Sequence, residues 1–314
     1  MTVILHQLAF EQRVFWRSRE AAVFIFVFPL LLYALLGSVY GEEIDGVAAS
    51  DVLLAGLFGY GAANTAFAGL AIILVTRRET GVLKRLRATP LAPEAYIAAV
   101  LLSTLATFAL QSVGLVALGT LAFDASTPAN WLGFAGAIVL GVACFAGMGV
   151  GATALIRSAE GVSAVVNVVV LPMAFLSGSF GPTRDYPAFL EAMADVLPLT
   201  YFLDIVYGVY LEGESLFADP KALAVVAAWG VAGLAVALKR FSWYSIEFGL
   251  IEEAGTLKVF GAGILSSTGE IPFSLSSKDV ARRPFITAGT PARCISPPRM
   301  RWASARPTFR SCGS

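Results

Sequence analysis

The chain has 314 residues, of which 57% are hydrophobic and 14% are charged. Soluble domains carry about 25% charged residues, so this composition indicates a membrane protein. The formal net charge is zero and no basic patch is interleaved with aromatic residues, which argues against nucleic-acid binding.

The first 20 residues form a polar, amphipathic segment. It alternates apolar with charged residues: Leu5, Leu8, Phe10, Phe15 and Trp16 with Glu11, Arg13, Arg17 and Arg19. Such a segment is either a charged pre-anchor that sets orientation or a helix in the membrane interface, and both place it on the cytoplasmic side. No small-residue cleavage site follows the first apolar run, so we expect an uncleaved first span.

Six apolar segments follow, each near the roughly 20 residues that a spanning helix needs. They are approximately Ala21–Tyr40, Val52–Thr76, Ala95–Phe123, Trp131–Ile156, Val162–Phe180 and Ala222–Leu238. Acidic residues dominate the connections after the first, third and fifth segments, and basic residues follow the second, fourth and sixth. This alternation obeys the positive-inside rule at every turn and predicts that both ends are cytoplasmic.

The stretch Arg77–Pro90, RRETGVLKRLRATP, is the densest charge run in the first 240 residues. Its bases are Arg77, Arg78, Lys84, Arg85 and Arg87, and its single acid is Glu79. The basic excess predicts a cytoplasmic loop, and apolar residues near helical spacing predict a short helix on the membrane surface. Pro90 and Pro93 then stop a helix before the next apolar run. From the residues alone, an ordinary juxtamembrane loop that sets topology is as well favoured as a loop with a specific function.

The order Arg-Glu-x-Gly-x-Leu-Lys-Arg-Leu-Arg-Ala-Thr-Pro-Leu in this loop resembles the signature of ABC-2 type export permeases. In that family the N-terminal segment is an elbow helix, and the loop is a coupling helix that docks on the ATP-hydrolysing subunit. The resemblance implies these coupling residues: Arg78, Glu79, Gly81, Leu83, Lys84, Arg85, Leu86, Arg87, Thr89 and Pro90. We expect polar contacts with the ATPase from Glu79, Lys84, Arg85 and Arg87, and an apolar anchor from Leu83 and Leu86.

The fifth apolar segment is irregular, because Pro172 interrupts it and a glycine-rich turn follows. The stretch 185–211 is half apolar and contains Pro187 and Pro198. Irregular backbone at membrane depth needs protein or water to satisfy it, so a re-entrant pair of short outer helices fits, with a periplasmic loop as the alternative. Phe-Leu-Ser-Gly-x-Phe and Leu-Pro-Leu-Thr-Tyr-Phe-Leu-Asp resemble the part of ABC-2 permeases that helps to close the outer gate. The implied gate residues are Pro172, Gly178, Phe180, Pro182 and Pro198.

The predicted spans carry no Lys, Arg, Asp or Glu in their middle, which argues against ion-coupled transport. Asn64, Gln111 and Asn167 are polar at depth, and each favours an interhelical hydrogen bond over a substrate ligand. The phosphate-binding pattern GxxxxGK[ST] is absent, so an ATP-driven mechanism needs an ATPase on another polypeptide.

Composition changes at about Ser242, after which the sequence alternates as strands and turns do. From Trp243 to about Phe285, Trp-Tyr-Ser-Ile-Glu-Phe-Gly-Leu and Gly-Ala-Gly-Ile-Leu-Ser-Ser resemble an internal piece of bacterial phenylalanine 4-hydroxylase. In that family the acid corresponding to Glu247 binds a non-haem iron, together with two histidines. The chain has one histidine, His6, so we expect neither an iron site nor hydroxylase activity.

The last stretch, from about Thr287, is rich in arginine, proline and serine and lacks acids, lysine and hydrophobic period. It resembles out-of-frame translation of GC-rich DNA, and a genuine basic disordered tail is the alternative. Our hypothesis is a chimaeric reading frame.

Together these patterns predict an all-α membrane protein with six transmembrane helices, an elbow helix, a coupling helix and a non-membrane tail. The predicted domains are residues 1–241, an ABC-2 type transmembrane domain; 242–286, a hydroxylase-like fragment without function; and 287–314, a disordered or frameshift-like tail. We expect no catalytic residue, metal or cofactor in this chain, with ATP bound by a partner.

The resemblance implies the permease subunit of an ATP-driven exporter for amphiphilic or hydrophobic, drug-like cargo in the bacterial plasma (inner) membrane. Its expected partners are a cytoplasmic ABC ATPase subunit, a second permease copy that is identical or different, and membrane lipids. The alternatives are an exporter of lipids or polysaccharides, an iron-dependent aromatic amino-acid monooxygenase fragment, and a non-transporting membrane scaffold.

Overall fold

The computed structural model describes residues 2–40, 43–44, 46–83, 93–156, 158–184, 186–245, 249–253, 256–260, 283–287 and 290–296. The chain divides into two compact units, Met1–Leu238 and Lys239–Ser314. The first unit is helical and the second contains a small sheet.

The described helices run in chain order from the N-terminus to the end of the first unit and slightly beyond it. They are α1 (Thr2–Arg17), α2 (Arg19–Ala22), α3 (Phe28–Val39), α4 (Ala49–Ala62), α5 (Leu70–Glu79), α6 (Pro93–Ala122), α7 (Trp131–Thr153), α8 (Ala159–Leu176), α9 (Ala188–Ala194), α10 (Pro198–Tyr207) and α11 (Pro220–Ser245). Three π-helical segments extend them: Val23–Val27, Ala63–Gly69 and Gly208–Glu212. A two-stranded antiparallel ladder, β1 (Glu43–Ile44) and β2 (Val47–Ala48), lies between α3 and α4.

Five helices in the described part of the chain are long and apolar enough to cross a membrane. They are Ala49–Glu79, Ala95–Ala122, Trp131–Thr153, Ala159–Leu176 and Pro220–Leu238. A shorter apolar helix, Val23–Val39, corresponds to the first predicted span, and α2 extends it toward the N-terminus. Each of the six predicted segments is therefore largely helical, and the count of six membrane spans remains a prediction.

The fifth predicted span differs from the expectation at Pro172. The helix α8 continues through Pro172 and ends at Leu176. Proline removes one backbone donor, but membrane helices tolerate it where the surroundings satisfy the freed group. The chain turns instead at Gly178, which has a φ of 80° and donates its N–H to the carbonyl of Phe175 at 3.2 Å.

The helix formed by α4, the π segment Ala63–Gly69 and α5 lies at the centre of the first unit; we call it the central helix. Residues 53–68 are all buried, as expected for a helix that is apolar on every side. Glycines allow its neighbours to approach: a Cβ on Gly56 would overlap the carbonyl of Ser179, and one on Gly59 would overlap Leu203. This close packing brings the central helix against the turn after α8 and against α10.

The helices α7 and α11 pack against each other through small residues, which α7 carries in the run Gly147–Gly151. A Cβ on Gly147 would come within 3.0 Å of the Gly230 carbonyl oxygen, and one on Gly151 would come as close to that of Gly233. Contact between backbones through small residues is a common packing mode in membranes. The apolar part of α11 therefore packs into the first unit.

The second unit contains a four-stranded antiparallel sheet in the order β4-β3-β6-β5. Its strands are β3 (Gly249–Glu253), β4 (Thr256–Phe260), β5 (Arg283–Thr287) and β6 (Thr290–Ser296). In register, Leu250 of β3 lies opposite Val259 of β4 and opposite Ile295 of β6.

Two details of the second unit differ from the sequence-based expectation. The helix α11 continues to Ser245, past the composition change at Ser242. The tail predicted to be disordered contains β6, whose pairing with β3 and β5 comes from backbone hydrogen bonds rather than from a hydrophobic period. This strand could not be predicted, because its residues have no hydrophobic period.

The α7–α11 crossing yields a direct test of the packing. We expect Gly233→Ala to lower the thermal unfolding midpoint of the full chain in detergent, because its Cβ would overlap the backbone of Gly147 and overpacking costs about 1–3 kcal/mol. The matched control is Gly114→Ala in α6, where an added Cβ meets nothing within 4 Å. Equal midpoints for the two variants would contradict the close crossing.

Candidate functional site

The predicted coupling residues begin at the C-terminal end of α5. The structure describes Arg78, Glu79, Gly81 and Leu83. The other predicted coupling residues, Lys84, Arg85, Leu86, Arg87, Thr89 and Pro90, lie outside the described residues.

The guanidinium of Arg78 binds the C-terminal end of α7. Its Nη1 donates to the carbonyl oxygen of Thr153 at 2.6 Å, and its Nη2 donates to that of Ile156 at 2.5 Å. The last carbonyls of a helix have no partner within the helix, and a cation there also interacts favourably with the helix dipole. Arg78 therefore fixes the end of α5 to the end of α7.

The carboxylate of Glu79 binds the N-terminal end of α8. Its Oε2 accepts the backbone N–H of Ala159 at 2.5 Å, and the side chain of Ser158 caps the same helix by accepting the N–H of Gly161 at 3.3 Å. An anion is favoured at a helix N-terminus by the unpaired N–H groups and by the dipole. Arg78 and Glu79 thus contact the two ends of one connection, residues 154–158, from adjacent positions; we call these two residues the α5 clamp.

An ion pair next to the α5 clamp was missed by the sequence reading. Arg77 makes a two-point contact with the carboxylate of Glu11 in α1, at 3.0 Å and 2.5 Å, and donates to the hydroxyl of Tyr96 in α6 at 2.7 Å. Glu11 is only 5% exposed. The position of Glu11 in the sequence could have indicated this ion pair. Helical spacing places Glu11 on one face with Leu8 and Phe15, where an acid requires a partner.

The N-terminal helix α1 also packs along α6 through polar groups. Gln12 donates to the carbonyl and the hydroxyl of Ser103 at 2.9 Å and 3.0 Å, and its carbonyl accepts the indole N–H of Trp16 at 3.2 Å. Trp16 stacks on Phe26, with 5.1 Å between ring centroids. The segment predicted as an elbow is therefore one helix attached to α6, and its place in the interface remains a prediction.

Gly81 forms the turn that ends α5. It has a φ of 72°, in the left-handed region that favours glycine, and its N–H donates to the carbonyl of Arg78 at 3.2 Å. An added Cβ would meet nothing within 4 Å, so the requirement for glycine here comes from the backbone alone. The turn directs Leu83 back toward the core, where its side chain is half-buried.

The predicted outer-gate residues lie at the C-terminal end of α8 and the start of α10. Pro172 is exposed within α8, Gly178 and Phe180 lie in the turn after it, Pro182 is exposed, and Pro198 is buried at the start of α10. The ring centroid of Phe180 is 5.2 Å from that of Tyr60 and 4.8 Å from that of Phe175. The structure thus joins Phe180 to the central helix.

Hydrogen bonds connect this turn to its neighbours. Thr200 donates to the carbonyl of Ala194 at 2.8 Å and pairs with the Ser177 hydroxyl at 2.9 Å, which links α10 to the end of α8. The hydroxyl of Tyr40 donates to the carbonyl of Phe180 at 3.1 Å. A cavity of about 290 Å³ lies between these elements, lined in part by Arg184 and Glu191.

The short helix α10 also contacts the N-terminal half of the central helix. The hydroxyl of Tyr207 lies 3.4 Å from the carbonyl oxygen of Val52 and donates to it. Burial, with a smaller contribution from the Asp204 charge, raises the pKa of Tyr207 to about 12, so the phenol keeps its proton at neutral pH.

The buried carboxylate of Asp51 accepts the N–H and the hydroxyl of Ser126 at 2.7 Å and 2.8 Å.

The described residues contain no group of three or more His, Cys, Asp or Glu that could hold a metal ion. Glu247, which matches the family iron ligand, lies outside them. The contacts at the end of α5 can act mechanically. Arg77 connects this end to α1 and α6, and the α5 clamp connects it to α7 and α8, so a displacement of the end of α5 would move all four helices.

Two sequence profiles match the chain. The family described as ABC-2 type transporter matches residues 4–211, well over half of the chain. The family described as biopterin-dependent aromatic amino acid hydroxylase matches residues 211–295. Both resemblances seen in the sequence are confirmed, and the hydroxylase match is wider than the predicted 243–285. The predicted domain boundary at 241 stays a prediction, because the profiles meet at 211 and the compact units at 238.

The curated relatives match the second profile. Phenylalanine-4-hydroxylase of Vibrio cholerae is 46% identical over 48 residues, 15% of this chain and 17% of that protein. The Mesorhizobium japonicum enzyme is 47% identical over 49 residues, 15% of this chain and 18% of that protein. The Ralstonia nicotianae enzyme is 37% identical over 91 residues, 27% of this chain and 28% of that protein. The chain spans less than a third of the length of these relatives.

The left-handed turn at Gly81 can be tested without changing any contact. We expect Gly81→Ala to cost about 1–2 kcal/mol through backbone strain alone and to disturb the predicted coupling loop that follows. The measurement is binding of an ABC ATPase subunit encoded next to this chain (the neighbouring ATPase subunit) to the full chain in nanodiscs. The unfolding midpoint is measured alongside.

The matched control is Gly46→Ala between β1 and β2. Gly46 has a φ of 81° and, like Gly81, an added Cβ there meets nothing within 4 Å. The two variants therefore pay similar strain at two different places. If Gly46→Ala weakens ATPase binding as much as Gly81→Ala does, the turn at Gly81 has no specific role.

Proposed function

The chain belongs to the ABC-2 type transporter family, and we propose that it is the permease subunit of an ATP-driven exporter. The observation that carries the proposal is the α5 clamp. Two residues of the family's coupling motif, Arg78 and Glu79, contact both ends of the connection between α7 and α8. A displacement of the loop that follows these two residues is therefore transmitted directly to α7 and α8.

We propose that the ABC ATPase with which the family works docks on residues 78–90. The four basic residues of this stretch offer charge–charge contacts, and Leu83 and Leu86 offer an apolar anchor. Since the sequence has no GxxxxGK[ST] pattern, the nucleotide site belongs to the partner. Closure of the ATPase pair on ATP moves the loop, and the α5 clamp moves with it.

The proposed topology has six spans with both ends in the cytoplasm of a bacterial inner membrane. The helix that starts at Arg19 and continues to Val39 is about 30 Å long at 1.5 Å per residue, so it matches the hydrocarbon thickness despite its short apolar part. The alternation of acidic and basic connections supports this orientation. Large apolar side chains remain exposed on several spans, among them Leu31, Val168 and Val231. These surfaces suit contact with lipid acyl chains and with a second permease copy.

The proposed cargo is amphiphilic or hydrophobic and drug-like. The middle of the predicted spans lacks ionisable groups, so it offers no partner for a highly charged cargo. The turn at Gly178–Pro182 and the short helices α9 and α10 are the proposed outer gate, because they connect to the central helix through Phe180 and Tyr207. The hydroxylase-like part is proposed to be inactive, since the chain contains a single histidine, His6.

The test is transport into inverted membrane vesicles that contain the full chain and the neighbouring ATPase subunit. We expect ATP-dependent accumulation of a fluorescent amphiphilic cation. A fluorescent phospholipid and a labelled oligosaccharide are assayed in parallel, and transport of either one alone would favour the lipid or polysaccharide alternative. No ATP-dependent transport of any probe would contradict the exporter.

Charge reversal at the α5 clamp provides the mechanistic arm of this test. We expect Glu79→Lys to uncouple transport from ATP hydrolysis, because a cation replaces the anion at the N-terminal end of α8, while membrane insertion is unchanged. Glu79→Gln keeps an oxygen acceptor for the N–H of Ala159 and is the matched control, with most transport retained. Normal transport by Glu79→Lys would refute the coupling role.

A further inference from the structure

The central helix is anchored at both of its ends. At its outer end, Asp51 binds Ser126 and Gly56 packs against the carbonyl of Ser179. At its other end, Arg77 and the α5 clamp bind α1, α6, α7 and α8. A displacement at one end must therefore be transmitted or absorbed between these anchors.

The π segment Ala63–Gly69 lies between the two anchored ends. It is continuous with α4 and α5, and its first six residues are buried. In α7, Gly149 gives it room, because a Cβ there would come within 3.0 Å of the carbonyl oxygen of Phe67. A π segment contains one residue more per turn than the α-helix around it, and such segments are frequent at functional sites. The fold therefore holds this irregularity within its core.

Two buried amides accompany the π segment. Asn64 is 3% exposed and Gln111 of α6 is 1% exposed, and the amide nitrogen of each has no hydrogen-bond partner among the described residues. Thr65 donates to the side-chain carbonyl of Gln111 at 2.9 Å. Whichever way round the amide of Gln111 is placed, Thr65 satisfies one end and leaves the other unpaired. An unpaired buried polar group is unfavourable, by about 1–3 kcal/mol in proteins.

Close packing against the central helix fixes the position of the Gln111 side chain. A Cβ on Gly61, two residues before the π segment, would overlap the amide nitrogen of Gln111. The neighbouring residue Ser112 is 0% exposed, but its hydroxyl donates to the carbonyl of Phe108 in its own helix at 2.8 Å. The buried hydroxyl of Ser112 is thus satisfied within its own helix, whereas the amide nitrogen of the adjacent Gln111 is not.

We propose that Asn64 and Gln111 are positioning residues for transport, which act by setting the register of the π segment in the central helix. In the described state their unpaired donors raise the free energy of this register. When the π segment moves along the helix, each residue that it passes turns by about 100° and shifts by about 1.5 Å. The side chains of Asn64 and Thr65 then point in a different direction relative to α6. The amide nitrogens of Asn64 and Gln111 can then donate to backbone carbonyls that lose their partners when the π segment moves.

This role rests on the proposed function, because the displacement comes from the ATPase at the α5 clamp. The π segment lets the α5 end shift while the contacts of Asp51 and Gly56 stay intact. A ligand or partner shifts an equilibrium only by its different affinity for the two states, so a small energetic gap between registers is an advantage. The two amides keep that gap small.

The test replaces the amide by an apolar group of similar size. We expect Asn64→Leu to raise the unfolding midpoint of the full chain, because it removes an unpaired buried donor, and to lower ATP-driven transport about tenfold, because one register is then favoured. Binding of the ATPase subunit stays unchanged. The second variant is Gln111→Leu combined with Thr65→Val, since the Thr65 hydroxyl would otherwise lose its acceptor, and it is expected to act in the same direction. Ser112→Ala is the matched control, with no rise of the midpoint and no loss of transport.

A direct measurement of the register is amide hydrogen exchange of residues 60–72 in the full chain, without nucleotide. Exchange is expected to be slower in Asn64→Leu than in the wild type and unchanged in Ser112→Ala. A lower midpoint of Asn64→Leu with retained transport, or equal exchange in wild type and Asn64→Leu, would overturn the positioning role. If the wild type transports nothing, the proposed function fails, and midpoint and exchange still decide whether the amides set the register.

Discussion

The packing of the helices in the first unit depends on the end of α5, where three consecutive residues bind three different parts of that unit. Arg77 pairs with Glu11 and Tyr96, Arg78 binds the end of α7, and Glu79 binds the start of α8. Each contact satisfies a helix end or a buried charge, so each is stabilising and directional. Because all three belong to one rigid turn of helix, α1, α6, α7 and α8 share one point of attachment. The predicted coupling motif begins at that point.

Much of the architecture could be predicted from the sequence, because it follows from apolar length and charge alternation. All six apolar segments form helices, and the predicted coupling residues begin where the central helix ends. The partners of Arg78 and Glu79 could not be predicted, since both bind backbone groups that carry no sequence signal. The error at Pro172 has a related cause: composition marks a possible break, but local turn geometry at Gly178 decides where the chain turns.

Small residues explain how a unit with long apolar helices becomes close-packed around the central helix. Glycine allows backbone to approach backbone at the α7–α11 crossing and gives the π segment its room beside Gly149. Association of helices in membranes relies on this kind of contact rather than on hydrophobic burial. The hydroxylase-like match overlaps α11 in sequence, whereas Gly230 and Gly233 of α11 pack against α7. Sequence similarity and three-dimensional packing therefore divide this chain at different residues.

The most direct measurement of the central claim is co-purification of the neighbouring ABC ATPase subunit with the full chain in nanodiscs, compared with a Glu79→Lys, Leu86→Asp double variant. The account predicts that the wild type retains the ATPase and stimulates its ATP turnover. The double variant is predicted to insert into the membrane and lose both, because it reverses one charge of the α5 clamp and removes the apolar anchor. Equal retention of the ATPase by both chains would contradict a coupling site at the end of α5.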